Sequence, residues 1–123
     1  PYETGPEYQV LDDAKHADGQ NPTTSAAALY ALTSCNADKV TKPVGEWNAG
    51  RIVLRGSHLE HWLNGKKVVE ADLASPESAK LVAGSKFKDM PRFAKEASGR
   101  ICLQDHGDEV WYRSIRIRRL DVK

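Results

Sequence analysis

The sequence predicts an all-β domain with one short helix. Short runs in which apolar and polar residues alternate recur along the chain, and a period of two is typical of half-buried strands. Turn-forming residues separate these runs, and an Asn-Gly pair at residues 64–65 joins two of them. About seven strands are predicted, at residues 7–12, 26–32, 51–55, 58–63 and 66–70 and twice within residues 99–119. Such a series of short strands is typical of a β-sandwich or barrel.

The sequence pattern indicates the first predicted strand more clearly than the second. In residues 7–12, polar Glu7 and Gln9 alternate with apolar Tyr8 and Val10, as expected for a strand with one buried face. Residues 26–32 are rich in alanine, which is the best helix former. We assign them to a strand because the run is short and lies among turn-rich segments.

The three middle strands surround the clearest local signal in the chain. Residues 51–55 form an apolar run that ends at Gly56 and Ser57. Residues 58–63 and 66–70 then flank Asn64 and Gly65. Both of those residues tolerate the positive φ of a type I′ turn, so the sequence predicts a tight β-hairpin here.

The predicted helix lies near residues 76–84, where the alternation stops. Ser75 can cap it, Pro76 fits the first helical position, and Gly84 supplies a stop. Residues 85–97 then form a basic connection containing Phe87, Met90 and Phe93, and a connection of this length is usually functional or disordered. The final hairpin, residues 99–119, gathers polar side chains around its turn, as a functional loop does.

Composition limits the classes of function. The chain has 123 residues, which suits one domain, and its 18 Lys and Arg against 17 Asp and Glu give a net charge of +1. This balance disfavours a dedicated nucleic-acid binder, which needs a concentrated basic surface. The sequence has no apolar run near the roughly 20 residues that span a bilayer, and it shows no signal peptide, although a leader could have been removed before Pro1. Cys35 and Cys102 fit neither a zinc motif nor a disulfide-rich scaffold, so we expect two unpaired thiols and leave a bridge between them open.

Several side chains are candidates for a site, each with a structural alternative. Glu7 and Gln9 share one strand face and could bind sugar hydroxyls or accept a proton, or they could simply face solvent. His61 shares a face with two leucines, so it is either a core histidine or a general acid or base. His58 is three residues away and faces the opposite side, so the two histidines do not chelate one metal from a regular strand. Residues 12–21 hold oxygen ligands without EF-hand spacing, a weak metal signal. The tryptophans, Trp47, Trp62 and Trp111, could stack on sugar rings or pack in the core.

Six ordered blocks, covering nearly the whole chain, resemble the 3-keto-disaccharide hydrolase domain family. They are EYQVLDD (7–13), ALY (28–30), KPVGEWN (42–48), HWLNG (61–65), SKFKDMPRF (85–93) and GRICLQDHGDEVWYR (99–113). The resemblance implies a concanavalin-like jelly-roll β-sandwich that is exported, secreted or periplasmic, and that cleaves glycosides oxidised at C3. It also implies a single domain over residues 1–123 that lacks the family's N-terminal strands. Ser114 departs from the family, which usually has asparagine there.

The resemblance also suggests roles for residues. Glu7 and His61 are the candidate catalytic acid and base, which would remove the C2 proton, expel the C1 leaving group and then add water. Gln9, His106 and Arg113 are expected to bind substrate and stabilise charge, and Tyr30, Trp47 and Trp111 to provide platforms for the sugar. We expect these side chains to meet on one concave, solvent-facing β surface.

Other expectations concern cofactors and partners. No cofactor is expected; a divalent ion could polarise the ketone, but the sequence offers no convincing ligand set. The alternative function is a carbohydrate-binding module without catalysis, since sandwich folds host both. Missing strands would leave unpaired edges, so a strand-completing second chain or a homo-oligomer is an expected partner.

Overall fold

The fold is described from a computed structural model that covers residues 1–121. A 3₁₀ turn at Ala17–Gln20 precedes three strands, β1 (Gly50–Arg55), β2 (His58–Leu63) and β3 (Lys66–Asp72), and one α-helix, α1 (Pro76–Ala83). Among the described residues, no helix is both long enough and apolar enough to cross a membrane.

The three strands form one antiparallel sheet in the order β1-β2-β3. The predicted hairpin is confirmed: β2 and β3 are joined by Asn64 and Gly65, which have φ of 49° and 82°. The Asn64 side chain also ties the hairpin to its surroundings. Its Oδ1 accepts a hydrogen bond from Ala49 N at 2.8 Å, and its Nδ2 donates to Val40 O at 3.0 Å. The turn therefore fixes both the register of β2 against β3 and the entry to β1.

Alternation along β2 separates a core face from an outer face. Leu59, His61 and Leu63 are buried, whereas the intervening side chains are partly exposed. A bulge between His61 and Trp62 lets both Val68 and Val69 of β3 turn inward. The core cluster is completed from outside the sheet by Ala27, Leu29, Leu32, Phe87 and Phe93.

β1 is an edge strand with an uncovered apolar side. Ile52 and Leu54 lie opposite the buried His61 and Leu59 in the register, yet they are 54% and 51% exposed. Among residues 1–121, β2 is the strand that pairs with β1. Unpaired strand edges were expected, and β1 has one among residues 1–121; its exposed apolar side was not predicted.

The predicted helix is confirmed, and the signals at its ends act as expected. Ser75 Oγ accepts a hydrogen bond from Ser78 N at 3.1 Å, Pro76 occupies the first turn, and Gly84 follows the last helical residue. The connection at residues 85–97 is packed against the core, because Phe87 and Phe93 are each only 3% exposed and stack with centroids 4.1 Å apart. The long connection is therefore anchored by its two aromatic side chains.

Four of the predicted strands do not form as predicted in residues 1–121. Residues 7–12 contribute one isolated bridge, between Tyr8 and Leu29, and residues 26–32 cannot stay extended because Ala27 and Ala31 have φ of 65° and 59°. Neither strand of the predicted final hairpin forms in the part of the chain that the structure describes. Its alternating residues remain exposed, including Ile101 at 71% and Ile117 at 75%. An alternating pattern needs a neighbouring strand to satisfy its backbone, and among residues 1–121 the final segment has none.

Both cysteines are free thiols in the described part of the chain, as expected. Cys35 is half-buried, and its burial raises the pKa of the thiol; Cys102 is exposed, so only the first is sheltered from solvent.

We expect Gly65→Ala to destabilise the chain because alanine resists the left-handed φ that the turn requires, at a cost of about 1 kcal/mol. Urea unfolding followed by circular dichroism measures this change. Gly99→Ala is the matched control, since Gly99 has no positive φ and an added Cβ there meets nothing within 4 Å. Equal midpoints for the two variants would contradict the role given to the turn.

Candidate functional site

The candidate site is centred on Glu7. Its segment is held against residues 27–30 by backbone hydrogen bonds, from Tyr30 N to Glu7 O at 3.0 Å and from Gln9 N to Ala28 O at 3.2 Å. The next side chain, Tyr8, points to the sheet: its hydroxyl donates to Trp62 O at 2.9 Å, and its ring lies 4.7 Å from that of His61. Because neighbouring side chains in an extended segment point in opposite directions, anchoring Tyr8 leaves Glu7 half-buried at the surface.

The surroundings of Glu7 change its acidity. Partial burial raises the pKa of this carboxyl, the positive charges of Lys86 and His106 oppose the rise, and the negative charge of Asp18 adds to it. Burial has the largest effect, so Glu7 holds a proton more tightly than an exposed glutamate does. A carboxylate of this kind is a stronger base once it is ionised.

Lys86 is a member of this cluster that the sequence did not single out. Its Nζ lies 3.3 Å from the Tyr30 hydroxyl and 4.7 Å from the centroid of the Tyr30 ring. The buried neighbour Phe87 fixes this position. The signal was available in the sequence as an apolar anchor directly after a lysine, but only the fold shows which tyrosine the lysine reaches.

The turn of the final segment supplies the other side of the site. His106 is exposed and close enough to Glu7 for its charge to lower the carboxyl pKa. Burial, followed by the negative charges of Glu7 and Asp105, raises the pKa of Tyr112, which the sequence analysis also missed. The Tyr112 hydroxyl donates to Gln104 O at 3.3 Å, which ties the two arms of the turn together. The turn thus reaches Glu7 although its arms do not pair as strands.

Arg113 and Trp47 form a separate pair. The Arg113 guanidinium lies 4.1 Å from the centroid of the Trp47 ring, a cation–π contact that joins the final segment to the loop before β1. Trp47 is 40% exposed and Trp111 is 72% exposed, with the Trp111 indole donating to Glu109 Oε1 at 2.8 Å. Both tryptophans are therefore surface residues, the alternative that suits stacking on a ligand.

Gln9 is more constrained than its strand position suggested. Its amide nitrogen donates to Thr24 O at 3.0 Å, and its amide oxygen accepts from Val10 N at 3.2 Å. Both ends of the side chain are thus used to hold the backbone of residues 9–24. The structure places Gln9 beside Glu7 in sequence but gives its amide a local, structural set of partners.

His61 lies in the core and not on a solvent-facing surface. It is 2% exposed, and its Nδ1 lies 2.9 Å from Ala27 O, a bond in which the ring nitrogen donates. Burial lowers the pKa of the imidazole, and the hydrogen bond to Ala27 opposes this only in part. The expected meeting of Glu7 and His61 on one open β surface is therefore not present in this structure, because β2 turns His61 inward with Leu59 and Leu63.

Two groups bear on metal binding. In the acidic loop, Asp13 is already used: Oδ2 pairs with Lys39 Nζ at 2.6 Å and Oδ1 accepts from Ala26 N at 2.7 Å. The outer face of the sheet instead brings together His58, Glu60 and Glu70, whose potential ligand atoms lie within 4.8 Å of one another. Spacing in sequence did not reveal this group, because it depends on the register between β2 and β3.

Comparison with known proteins agrees with this chain's ordered motifs. The sequence pattern of a family described as the 3-keto-alpha-glucoside-1,2-lyase-like domain matches residues 1–118. The chain belongs to this family. It is also 35% identical to a 3-keto-disaccharide hydrolase of Bacteroides thetaiotaomicron, in an alignment that covers 98% of this chain and 46% of the relative.

A solved structure supports the fold. A candidate glycosyl hydrolase from Parabacteroides distasonis superposes with a TM-score of 0.67 at 28% identity, covering 78% of this chain and 47% of that protein. Together with the antiparallel sheet and its single short helix, this confirms the all-β class and a partial β-sandwich. The chain spans about half the length of these two relatives.

The buried state of His61 predicts a pH-dependent stability. Its pKa in the fold is lowered from 6.5, so below that pH the unfolded chain takes up a proton that the folded chain resists. We expect the free energy of unfolding to fall as the pH drops from 7 to about 5.5, within the window that opens below the unfolded pKa. His61→Asn, which can still donate to Ala27 O but does not titrate, should reduce this pH dependence.

Urea unfolding at the two pH values measures the effect, with His16→Asn as the control because His16 is partly exposed. A slope unchanged by His61→Asn would show that another group is responsible.

Proposed function

We propose that the domain containing this chain cleaves glycosides whose sugar is oxidised at C3, by eliminating the C1 substituent and then adding water. The observation that supports this best is the half-buried Glu7 with a raised pKa, flanked by the cationic Lys86 and by His106. Membership of the family and the name of the Bacteroides relative point to the same class of substrate.

Elimination begins with removal of the C2 proton, which the C3 ketone makes acidic. In this proposal the Glu7 carboxylate takes that proton, and the electron pair of the C2–H bond forms an enolate with its negative charge on the C3 oxygen. The enolate then collapses to restore the ketone, forms a C1–C2 double bond and breaks the bond from C1 to the leaving oxygen. The protonated Glu7 donates its proton to that oxygen and so returns to the ionised state; its raised pKa keeps the proton on the carboxyl until the leaving oxygen accepts it.

In the hydration step, Glu7 transfers a proton in the opposite direction, towards C2. Glu7 accepts a proton from water as the oxygen adds to C1, and the same proton is delivered to C2, so the carboxylate is regenerated. The net reaction consumes one water and releases the 3-keto sugar and an alcohol. One carboxyl group thus serves both halves of the reaction, which removes the need for the buried His61.

The cations of the site stabilise the enolate. Lys86, whose Nζ already hydrogen-bonds to the Tyr30 hydroxyl, can place its charge beside a developing oxyanion, and His106 is a second donor within electrostatic reach of Glu7. Arg113, Trp47 and Trp111 belong in this proposal to substrate binding, with the exposed Trp111 as the best stacking platform. Gln9 shapes the segment that carries Glu7.

A non-catalytic carbohydrate-binding module is the second candidate, and the exposed aromatic rings of Trp47 and Trp111 favour it. A binding surface needs those rings but gains nothing from a half-buried carboxylate with a raised pKa. Turnover of a 3-keto-glucoside, measured beside calorimetric binding of the same sugar, separates the two functions. In either case we propose an exported location, which rests on the family resemblance alone. We also propose a strand-completing second chain or copy, because the apolar side of β1 is uncovered in this part of the fold.

Glu7→Gln should lower the rate of cleavage of a 3-keto-glucoside by roughly 100-fold or more, since the amide cannot take the C2 proton. The same variant should unfold at an equal or higher temperature at pH 7, because the half-buried charge of Glu7 is unfavourable for folding. Rates and melting temperatures are measured for this chain and for a full-length relative carrying the equivalent change. Turnover that survives in both Glu7→Gln proteins would reject Glu7 as the base.

Lys86→Met should shift the pH profile of kcat/KM as well as lower its plateau. In the native chain activity should rise with pH through the raised pKa of Glu7, because the base must be ionised. The positive charge of Lys86 lowers the pKa of Glu7, so removing that charge should move the rising limb to still higher pH. Lys88→Met is the matched control, as Lys88 is an exposed lysine two residues away. An unshifted limb in Lys86→Met would exclude an electrostatic role for Lys86 at Glu7.

A further inference from the structure

The outer face of the sheet carries a cluster that the proposed function does not use. His58 and Glu60 alternate with the buried residues of β2, and Glu70 lies directly opposite Glu60 on β3. Like charges directly opposite one another in an antiparallel pair repel, so a cation close by stabilises this pair of glutamates. The cluster is partly open to solvent, with side-chain exposures of 43%, 19% and 51% for His58, Glu60 and Glu70.

The distances suit a small metal ion. His58 Nε2 lies 3.4 Å from Glu60 Oε1 and 3.1 Å from Glu70 Oε1. Ligand atoms around a tetrahedral zinc, at bond lengths of about 2.0–2.2 Å, lie about 3.3–3.6 Å apart. The first separation falls in this range and the second is slightly shorter, so a zinc ion could contact the three groups after small rotations of exposed side chains.

The Glu60 carboxylate, one of the two ligands from β2, is already oriented. The Trp62 indole donates to Glu60 Oε2 at 2.7 Å, which leaves Oε1 directed towards His58. This hydrogen bond is the main cause of the lowered pKa of Glu60, and the contacts with His58 and Lys67 add to it. The Arg51 guanidinium, 4.2 Å from the Trp62 ring centroid, packs on the indole. A hydrogen bond that fixes a ligating carboxylate is the usual support of a metal site.

The Lys67 ammonium lies beside the two carboxylates, where a metal ion would bind. Its Nζ lies 2.8 Å from Glu70 Oε2 and 3.8 Å from Glu60 Oε1. One ammonium balances one of the two carboxylates, so this group of four side chains keeps a net negative charge when His58 is neutral. A divalent cation would satisfy both carboxylates and the imidazole lone pair, while the flexible lysine moves into solvent.

We propose that His58, Glu60 and Glu70 form a binding site for a divalent transition-metal ion, of which zinc is the best match, in competition with Lys67. One imidazole and two carboxylates suit zinc or manganese better than calcium, which prefers oxygen ligands in larger number. With three protein ligands the ion would keep a coordination position for water. None of these residues belongs to the machinery proposed around Glu7, so the two proposals can fail separately.

Calorimetric titration of the metal-free chain with zinc chloride tests the site. We expect one zinc per chain, and at least about a 10-fold weaker affinity for His58→Gln and for Glu70→Gln, because each loses a ligand. Lys67→Met should bind zinc more tightly by a few-fold, since the competing ammonium is gone. This increase distinguishes a metal site from a structural ion-pair network, which Lys67→Met would only weaken.

The matched control is His16→Gln, since His16 also lies near two carboxylates, those of Asp18 and Asp108, each at 4.0 Å. The affinity of the His16→Gln variant for zinc should equal that of the unmodified chain. Circular dichroism of each variant confirms that the fold is kept. The proposal is overturned if millimolar zinc gives no binding to the folded chain, if His58→Gln binds as tightly as the unmodified chain, or if calcium binds as tightly as zinc.

Discussion

A buried hydrogen bond between the His61 imidazole and the Ala27 carbonyl connects the regular and irregular halves of this structure. Its two atoms lie 2.9 Å apart in a region nearly closed to water, where an unsatisfied polar group costs about 1–3 kcal/mol. On one side the bond belongs to β2, the central strand. On the other it belongs to residues 26–30, which adopt turns and not a ladder. The sheet therefore positions the segment that in turn holds Glu7.

Tyr8 makes the same connection from the opposite direction. Its hydroxyl reaches Trp62 O while its ring packs on His61, so the two residues share one small part of the core. Glu7 precedes Tyr8 and is turned outward by this anchoring. The partial burial that raises the pKa of Glu7 is thus a consequence of core packing, and the chemistry proposed for the carboxylate depends on residues that no substrate would touch.

The fold shows where reading the sequence succeeds and where it does not. The β2–β3 hairpin and helix α1 were predicted correctly because their determinants are local: Asn64 and Gly65 accept positive φ, and Ser75 caps the helix within one turn. Residues 26–32 were misassigned because alanine tolerates several conformations, and tertiary contacts select turns with positive φ at Ala27 and Ala31. The final segment alternates as a strand does, yet a strand requires a partner, and alternation does not show whether one is present. Ser114, where the resemblance led us to expect asparagine, has a positive φ of 55°, a conformation that asparagine accepts more readily than serine.

The sequence alone determined the all-β class, the hairpin turn, the helix and, through six ordered motifs, the family. These features are local or cumulative along the chain. Only the tertiary structure decided that His61 is enclosed while Glu7 is not, that Lys86 and Tyr112 join the site, and that His58 meets two glutamates on the outer face. Each of those outcomes depends on the side to which a strand turns its side chains and on which distant segment covers it. A shift of one residue in register exchanges the two faces, so spacing in sequence cannot fix them.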